Sequence, residues 1–146
     1  MALYTHLAAA VCVSCQQEGI TSTLREGNRT CPGEEVTFTC TLRGSSCLAF
    51  EWRCPGYIAD GSPLQFPPTS LTGIDVPSMI NGKTTATARL TTNTLDNGVR
   101  VLVSTLRITA AEASTVTCEG TNGVTLSIEF SVSGTCNSTL CETINF

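Results

Sequence analysis

Cysteine is the residue type that offers the most chemistry in this sequence. Nine cysteines occur among 146 residues, a density typical of extracellular chains in which disulfides cross-link a small domain. Metal binding is the rival use of thiols, and it needs ligand pairs at short spacing. Cys136 and Cys141 have no second pair near them in the sequence, which makes them a poor zinc site. The pattern therefore predicts disulfides, no metal site and no cofactor.

Side chains that perform catalysis are scarce. His6 is the only histidine and Lys83 the only lysine, and a chain processed after residue 15 would have no histidine at all. Such a chain lacks the components of Ser-His-Asp and Cys-His catalysis. The carboxylates of Asp75, Asp96 and Glu112 form no recognisable acid–base pair and are interpreted as turn or cap residues. We predict that the protein is not an enzyme.

The amino-terminal residues 1–15 predict a secretory signal peptide. They contain no acidic residue, Lys or Arg, and their apolar run Leu7–Val13 is far shorter than the roughly 20 residues that span a bilayer. Cleavage fits after Ser14 or after Cys15, and a buried first strand is the alternative interpretation. No later segment is apolar enough to span a membrane.

Two N-glycosylation sequons support the same route. They begin at Asn28 and Asn137, and both lie in polar stretches that could carry a glycan. We therefore expect a secreted, extracellular glycoprotein.

Most of the remaining sequence has the pattern of β-strands. Apolar and polar residues alternate in three clear runs, Val36–Leu42, Leu48–Cys54 and Val124–Val132. Period two with one apolar side predicts strands that lie half-buried on a core. Asp96-Asn97-Gly98 and Asn122-Gly123 predict tight hairpin turns. The segment Pro55–Gly82 is less regular, and its prolines predict one or two short edge strands, near Leu64–Phe66, within a long connection. No run has a sustained helical period, so the predicted fold class is all-β.

Cys40, Trp52 and Cys118 fall on these predicted strands, and Cys118 follows Cys40 by 78 residues. With the flanking runs Pro32–Cys40 and Ser114–Cys118, this spacing resembles a single variable-like domain of the immunoglobulin superfamily, as found in extracellular proteins of invertebrates. The resemblance implies a Greek-key β-sandwich of two antiparallel sheets with about seven to nine strands. It also implies a disulfide between Cys40 and Cys118, with Trp52 packed beside it. Closing so long a loop is worth about 4–5 kcal/mol.

The resemblance divides the chain into a signal peptide at 1–15, an immunoglobulin-like domain at 16–134 and a cysteine-containing tail at 135–146. The sequence departs from the family before its second cysteine, where Val116 replaces the usual tyrosine and Glu112 takes the usual acid position. That tyrosine bonds to the backbone at a chain corner in the family. We therefore expect packing alone to hold this corner.

Strand directions in the family place the other cysteines. They imply that four of them cluster at one end of the sandwich (Cys31, Cys54, Cys136 and Cys141), while Cys47 lies at the other. We expect all five to form disulfides, with connectivity left open. If Cys15 stays on the mature chain, it can pair with Cys47. If it does not, one thiol remains for a covalent dimer.

The net charge of −4 gives no basic surface for nucleic acid. The resemblance and the lack of catalytic groups favour an extracellular recognition or adhesion module that binds a protein or a glycan. The loop Gly44–Leu48 and the segment Pro55–Gly82 are the expected contact surfaces, although the prolines can instead serve to protect an edge strand. Alternatives are the outer domain of a truncated membrane receptor, and a structural or inhibitory disulfide scaffold.

Overall fold

The structure, a computed structural model, describes residues 15–47, 49–59, 61–120 and 125–134. These residues form β-strands and no helix, which confirms the predicted all-β class. The strands are β1 (Gln16–Ser22), β2 (Arg29–Thr30), β3 (Glu35–Gly44), β4 (Phe50–Arg53), β5 (Leu64–Phe66), β6 (Asp75–Ile80), β7 (Lys83–Asp96), β8 (Val99–Thr109), β9 (Ser114–Gly120) and β10 (Thr125–Val132). No helix in the described ranges is long and apolar enough to cross a membrane.

The strands form two sheets of five. The first sheet has the order β1-β3-β8-β7-β6, and the second has the order β2-β10-β9-β4-β5. Every neighbouring pair is antiparallel except β2 and β10, which run parallel over Arg29–Thr30. β1 packs near β10, so β5 and β6 end their sheets on the opposite side of the molecule.

The ten strands in the described ranges exceed the seven to nine that were expected. Neither the very short β2 nor the edge strand β6 was predicted individually. β6 lies inside the irregular segment Pro55–Gly82 and contains Pro77, which weakens any strand prediction. A proline is tolerated there because β6 has a neighbour on one side only.

Burial follows the alternation that predicted the strands. In β3 the side chains of Val36, Phe38, Cys40 and Leu42 are buried, while the threonines between them are partly exposed. The interior between the sheets holds the largest fully buried side chains of both, namely Trp52, Phe38, Phe50, Leu42, Leu90, Leu102 and Leu106. Burying a side chain of this kind stabilises the fold by roughly 1.5–3 kcal/mol.

Asn–Gly pairs form two of the hairpin turns. Asn97 and Gly98 have φ of 52° and 78° between β7 and β8, and Asn81 and Gly82 have φ of 54° and 78° between β6 and β7. Both residues of a type I′ turn need positive φ, which asparagine and glycine adopt most readily. These turns connect the strands of the long β7–β8 hairpin and of the β6–β7 hairpin at the edge of the sheet.

Prolines mark both sheet edges on the side of β5 and β6. Pro63 and Pro67 flank the three residues of β5, and Pro77 lies within β6. Proline has no backbone N–H to donate, so these edges are poor templates for an additional strand. This arrangement bears on how a partner could bind there.

Several sequence predictions lie outside the described residues. They are the signal peptide before Cys15, the turn Asn122-Gly123, and the residues Leu48, Cys136, Asn137 and Cys141.

Candidate interaction surface

The disulfide between Cys40 and Cys118 joins the two sheets, with Cα atoms 6.5 Å apart. Trp52 lies beside Cys118 in the register of β4 and β9 and is fully buried. Its indole N–H donates to the Ser104 hydroxyl of the opposite sheet at 2.8 Å, and that hydroxyl donates to the Arg89 carbonyl at 2.8 Å. The polar atom of the tryptophan therefore has a partner inside the core.

A second disulfide closes the loop after β3. Cys15 and Cys47 are bonded and buried, with Cα atoms 4.8 Å apart. The Cys15 N–H donates to the Ser46 hydroxyl at 2.8 Å. Cleavage after Ser14 would keep this cross-link, whereas cleavage after Cys15 would remove it. Cys31 is also disulfide-bonded, and intramolecular disulfides are typical of extracellular proteins.

The expectation of a disulfide at Cys54 is wrong, because its thiol is free and buried. The alternation of β4 continues past Arg53 and turns Cys54 inward, where its sulfur lies 3.7 Å from the Ser114 hydroxyl. Burial raises the pKa of the Cys54 thiol to about 11, since a thiolate would lose its hydration. The thiol is therefore protonated and poorly reactive at neutral pH.

The expectation that packing alone holds the corner before β9 is also wrong. The Tyr57 hydroxyl accepts the N–H groups of Ala111 and Glu112, each at 2.9 Å, and donates to the Glu112 carbonyl at 2.7 Å. Tyr57 lies in the turn after β4 and is almost fully buried. Tyr57 thus makes the hydrogen bonds to the backbone at this corner. Val116, which stands where the family has its tyrosine, has no hydroxyl to make them.

Of the loop Gly44–Leu48, one of the two expected contact surfaces, the structure describes Gly44–Cys47, and these residues offer little exposed side chain. Gly44 and Cys47 are buried, and Ser46 is only partly exposed and accepts the Cys15 N–H. The disulfide at Cys47 holds the loop against the amino-terminal strand. Residues Gly44–Cys47 are therefore anchored and have a small free surface.

Large exposed apolar side chains are concentrated in the segment Pro55–Gly82. Four large apolar side chains in the described ranges are exposed: Leu71 (72%), Ile74 (52%), Met79 (54%) and Leu95 (61%). The first three lie in this segment, and we call Leu71, Ile74 and Met79 the apolar rim. Pro77 is exposed between Ile74 and Met79 and continues the surface. Met79 lies on β6 and Ile74 directly precedes that strand, so the extended chain between them spans about 16 Å, at roughly 3.3 Å per residue.

Hydrogen bonds hold the rim against β7. The Asn93 amide donates to the carbonyls of Pro68 and Ser70 at 3.0 and 3.1 Å, and the Gly73 N–H donates to the Leu90 carbonyl at 2.8 Å. Gly73 has a φ of 81°, a conformation that glycine adopts without steric cost. Leu71 is therefore exposed on a connection that is fixed on both sides.

The charged groups beside the rim are paired. Asp75 accepts a bond from Arg89 at 2.7 Å and lies 3.4 Å from Arg107. The hydrogen bond from Arg89 lowers the pKa of the Asp75 carboxyl. A partner that covers the rim therefore meets a polar margin in which two arginines share one carboxylate, and a polar margin is common at interfaces.

The outer face of the second sheet carries a similar network. Arg53 contacts Glu51 at 3.1 Å and Glu119 at 3.0 Å, and Gln65 donates to Glu51 at 2.5 Å. No group of three His, Cys, Asp or Glu that could hold a metal ion occurs in the described part of the chain. This face is polar and lacks the exposed apolar side chains of the rim.

The sequon at Asn28 lies in the turn between β1 and β2. The Asn28 side chain is exposed and its φ is 54°. Thr30 of the sequon is buried, and its hydroxyl donates to Glu34 at 3.2 Å. Glu34 also pairs with Arg25 at 2.8 Å, and this bond lowers the pKa of the Glu34 carboxyl. A glycan on Asn28 would project into solvent.

Sequence reasoning missed several important side chains. Ser104 occupies an inward position between Leu102 and Leu106 on β8, and a hydroxyl facing the core could have been matched with the expected buried Trp52. Tyr57 lies outside every alternating run, so no local pattern identified its partners. The exposure of Leu71 and Met79 depends on how the connection lies against β7, which local pattern does not encode.

No family model matches this sequence, and neither does any curated protein with which it was compared.

Proposed function

We propose that the protein is a secreted, immunoglobulin-like recognition module that binds an extracellular protein through the apolar rim and performs no catalysis. Disulfide chemistry supports the compartment, because reducing cytosol disfavours such bonds. Glycosylation at Asn28, and at Asn137 outside the described residues, belongs to the same proposal. Retention of Cys15 after signal cleavage preserves the Cys15–Cys47 bond.

The order of strands supports the family assignment. The order β1-β3-β8-β7 corresponds to strands A-B-E-D of the immunoglobulin fold, and β10-β9-β4 corresponds to G-F-C. β5 corresponds to the first additional strand of variable-type domains. β6 departs from that pattern, because it pairs with β7 rather than extending the other sheet.

The observation that carries the proposed function is the exposure of the apolar rim. Leu71, Ile74 and Met79 are more than half exposed although each could bury substantial apolar area. The three exposed side chains lie close together in the sequence, and exposed apolar side chains that form one patch are typical of protein-binding surfaces. The prolines at the edges of β5 and β6 disfavour strand addition, so side-chain packing is the expected mode of contact.

Substitution of the rim tests this proposal. We expect the triple variant Leu71→Ser, Ile74→Ser, Met79→Ser to bind at least tenfold more weakly to the surfaces of cells from the source tissue, because the buried apolar area is lost. Labelled wild-type and variant proteins would be titrated in parallel. The variant should retain its disulfides and fold, since the replaced side chains are exposed.

A matched control removes exposed side chains elsewhere. Thr125→Ala, Ser127→Ala, Glu129→Ala alters three exposed positions on the outer face of β10 and should bind like the wild-type protein. Loss of binding in this control with an unaffected rim variant would place the contact on the sheet face and contradict the proposal.

A further inference from the structure

A cleft of ≈ 530 Å³ lies on the outer face of the first sheet, at the tip of the β7–β8 hairpin. The strand register places Gln16, Arg43, Val101 and Thr94 in one row across β1, β3, β8 and β7. The volume falls within the roughly 300–1,000 Å³ of small-molecule sites. The cleft is separate from the apolar rim.

Two β-bulges lie on the strands that border this cleft. One interrupts the register of β1 between Gln17 and Gly19, and the other interrupts β7 between Leu90 and Thr92. A bulge bends its strand and increases the local twist. The end of the sheet is therefore curved, and Glu18, the additional residue of the first bulge, lines the cleft.

The cleft combines an apolar floor with polar walls. Val99 and Val101 form the floor and are partly exposed. Glu18 forms an ion pair with Arg43, and both side chains remain about half exposed. Asp96 is also exposed beside the type I′ turn, with its outward position fixed by its pairing with Val99.

We propose that this cleft binds a neutral saccharide unit. Sugar hydroxyls both donate and accept hydrogen bonds, so they can donate to the carboxylates of Glu18 and Asp96 and accept from Arg43. The C–H face of a sugar ring can pack on the apolar floor of Val99 and Val101. The proposal is independent of the apolar rim and assigns the protein a second kind of ligand.

The charge of the cleft favours a neutral ligand over an anionic one. Glu18 and Arg43 neutralise each other, and Asp96 leaves one negative charge. Phosphate and sulfate groups would be repelled by that carboxylate. A lysine or arginine side chain of a protein is the main competitor, and the experiment must distinguish it from a sugar.

The direct test is an amide chemical-shift titration of the full chain with oligosaccharides that end in glucose, galactose, mannose or N-acetylglucosamine. We expect saturable shifts at Arg43, Val99 and Val101 with at least one of these probes. An arginine-containing peptide serves as the competing probe. Absence of shifts with all four sugars, or shifts with the peptide alone, would overturn the proposal.

Matched substitutions then separate the cleft from nonspecific effects. Asp96→Asn and Val101→Thr should each weaken saccharide binding at least fivefold, because they remove a carboxylate acceptor and part of the apolar floor. Glu129→Gln and Val103→Thr make the same changes outside the cleft and should leave binding unchanged. Equal affinity in all four variants would overturn the proposal.

Discussion

Two hydroxyl oxygens stabilise this fold, one in the core beside Trp52 and one at the chain corner before β9. The hydroxyl of Ser104 provides the acceptor for the buried indole N–H of Trp52. The hydroxyl of Tyr57 makes three bonds to the backbone of Ala111 and Glu112. Removing the Ser104 oxygen would leave the buried indole N–H without its partner, and removing the Tyr57 oxygen would do the same to three part-buried backbone groups. Such a loss costs more than the bond itself contributes where the group cannot reach water.

Tyr57→Phe tests the corner contact at this scale. We expect the free energy of unfolding to fall by about 1–3 kcal/mol, because two N–H groups and a carbonyl lose their partner while the ring remains packed. Denaturant unfolding of the disulfide-intact protein measures the change. Thr21→Val removes an exposed hydroxyl from β1 and should change stability by less than about 0.5 kcal/mol. If both variants lose the same small amount, the Tyr57 hydroxyl does not stabilise the corner.

At the scale of strands, the disulfide between Cys15 and Cys47 also packs against β9. A Cβ atom at Gly120 would lie 3.0 Å from Leu42 Cδ1 and 3.3 Å from Cys15 Sγ. Only glycine lets β9 approach the disulfide this closely, since an added methyl group would displace its neighbours.

Gly120→Ala should therefore lower stability by about 1–3 kcal/mol through overpacking. Calorimetry would detect this as a decrease in Tm of about 2–4 °C per kcal/mol for a chain of roughly this size. Gly19→Ala is the strand control, because nothing lies within 4 Å of a Cβ atom at Gly19, and its Tm should not decrease. A Tm for Gly120→Ala equal to that of the wild type would contradict the close packing.

For the molecule as a whole, the alternation of apolar and polar residues predicts those strands that have one buried face and one exposed face. Val36–Leu42 became β3 because apolar residues alternate along it without interruption, whereas β8 places the polar Ser104 among its inward side chains. No single alternation describes β7, since the bulge between Leu90 and Thr92 reverses the side of the strand that faces inward. β6 escaped prediction because of Pro77.

The candidate surface was predicted only as a segment. The prolines indicated that Pro55–Gly82 is irregular, and the structure places three of the four large exposed apolar side chains there. Their exposure depends on long-range bonds from Asn93 and Leu90, which connect residues more than fifteen positions apart. Cys54 likewise faces the core as a free thiol, although a disulfide was predicted for it.

We propose that the apolar rim is the contact surface of an extracellular recognition module. Oxidative footprinting of the intact protein, free and bound to its target cells, measures side-chain protection at each position. We predict protection of Met79, Leu71 and Ile74 on binding, with Val103 on the outer face of the first sheet unchanged. Protection of Thr125–Val132 on the second sheet, with Met79 oxidised as rapidly as in the free protein, would contradict the claim.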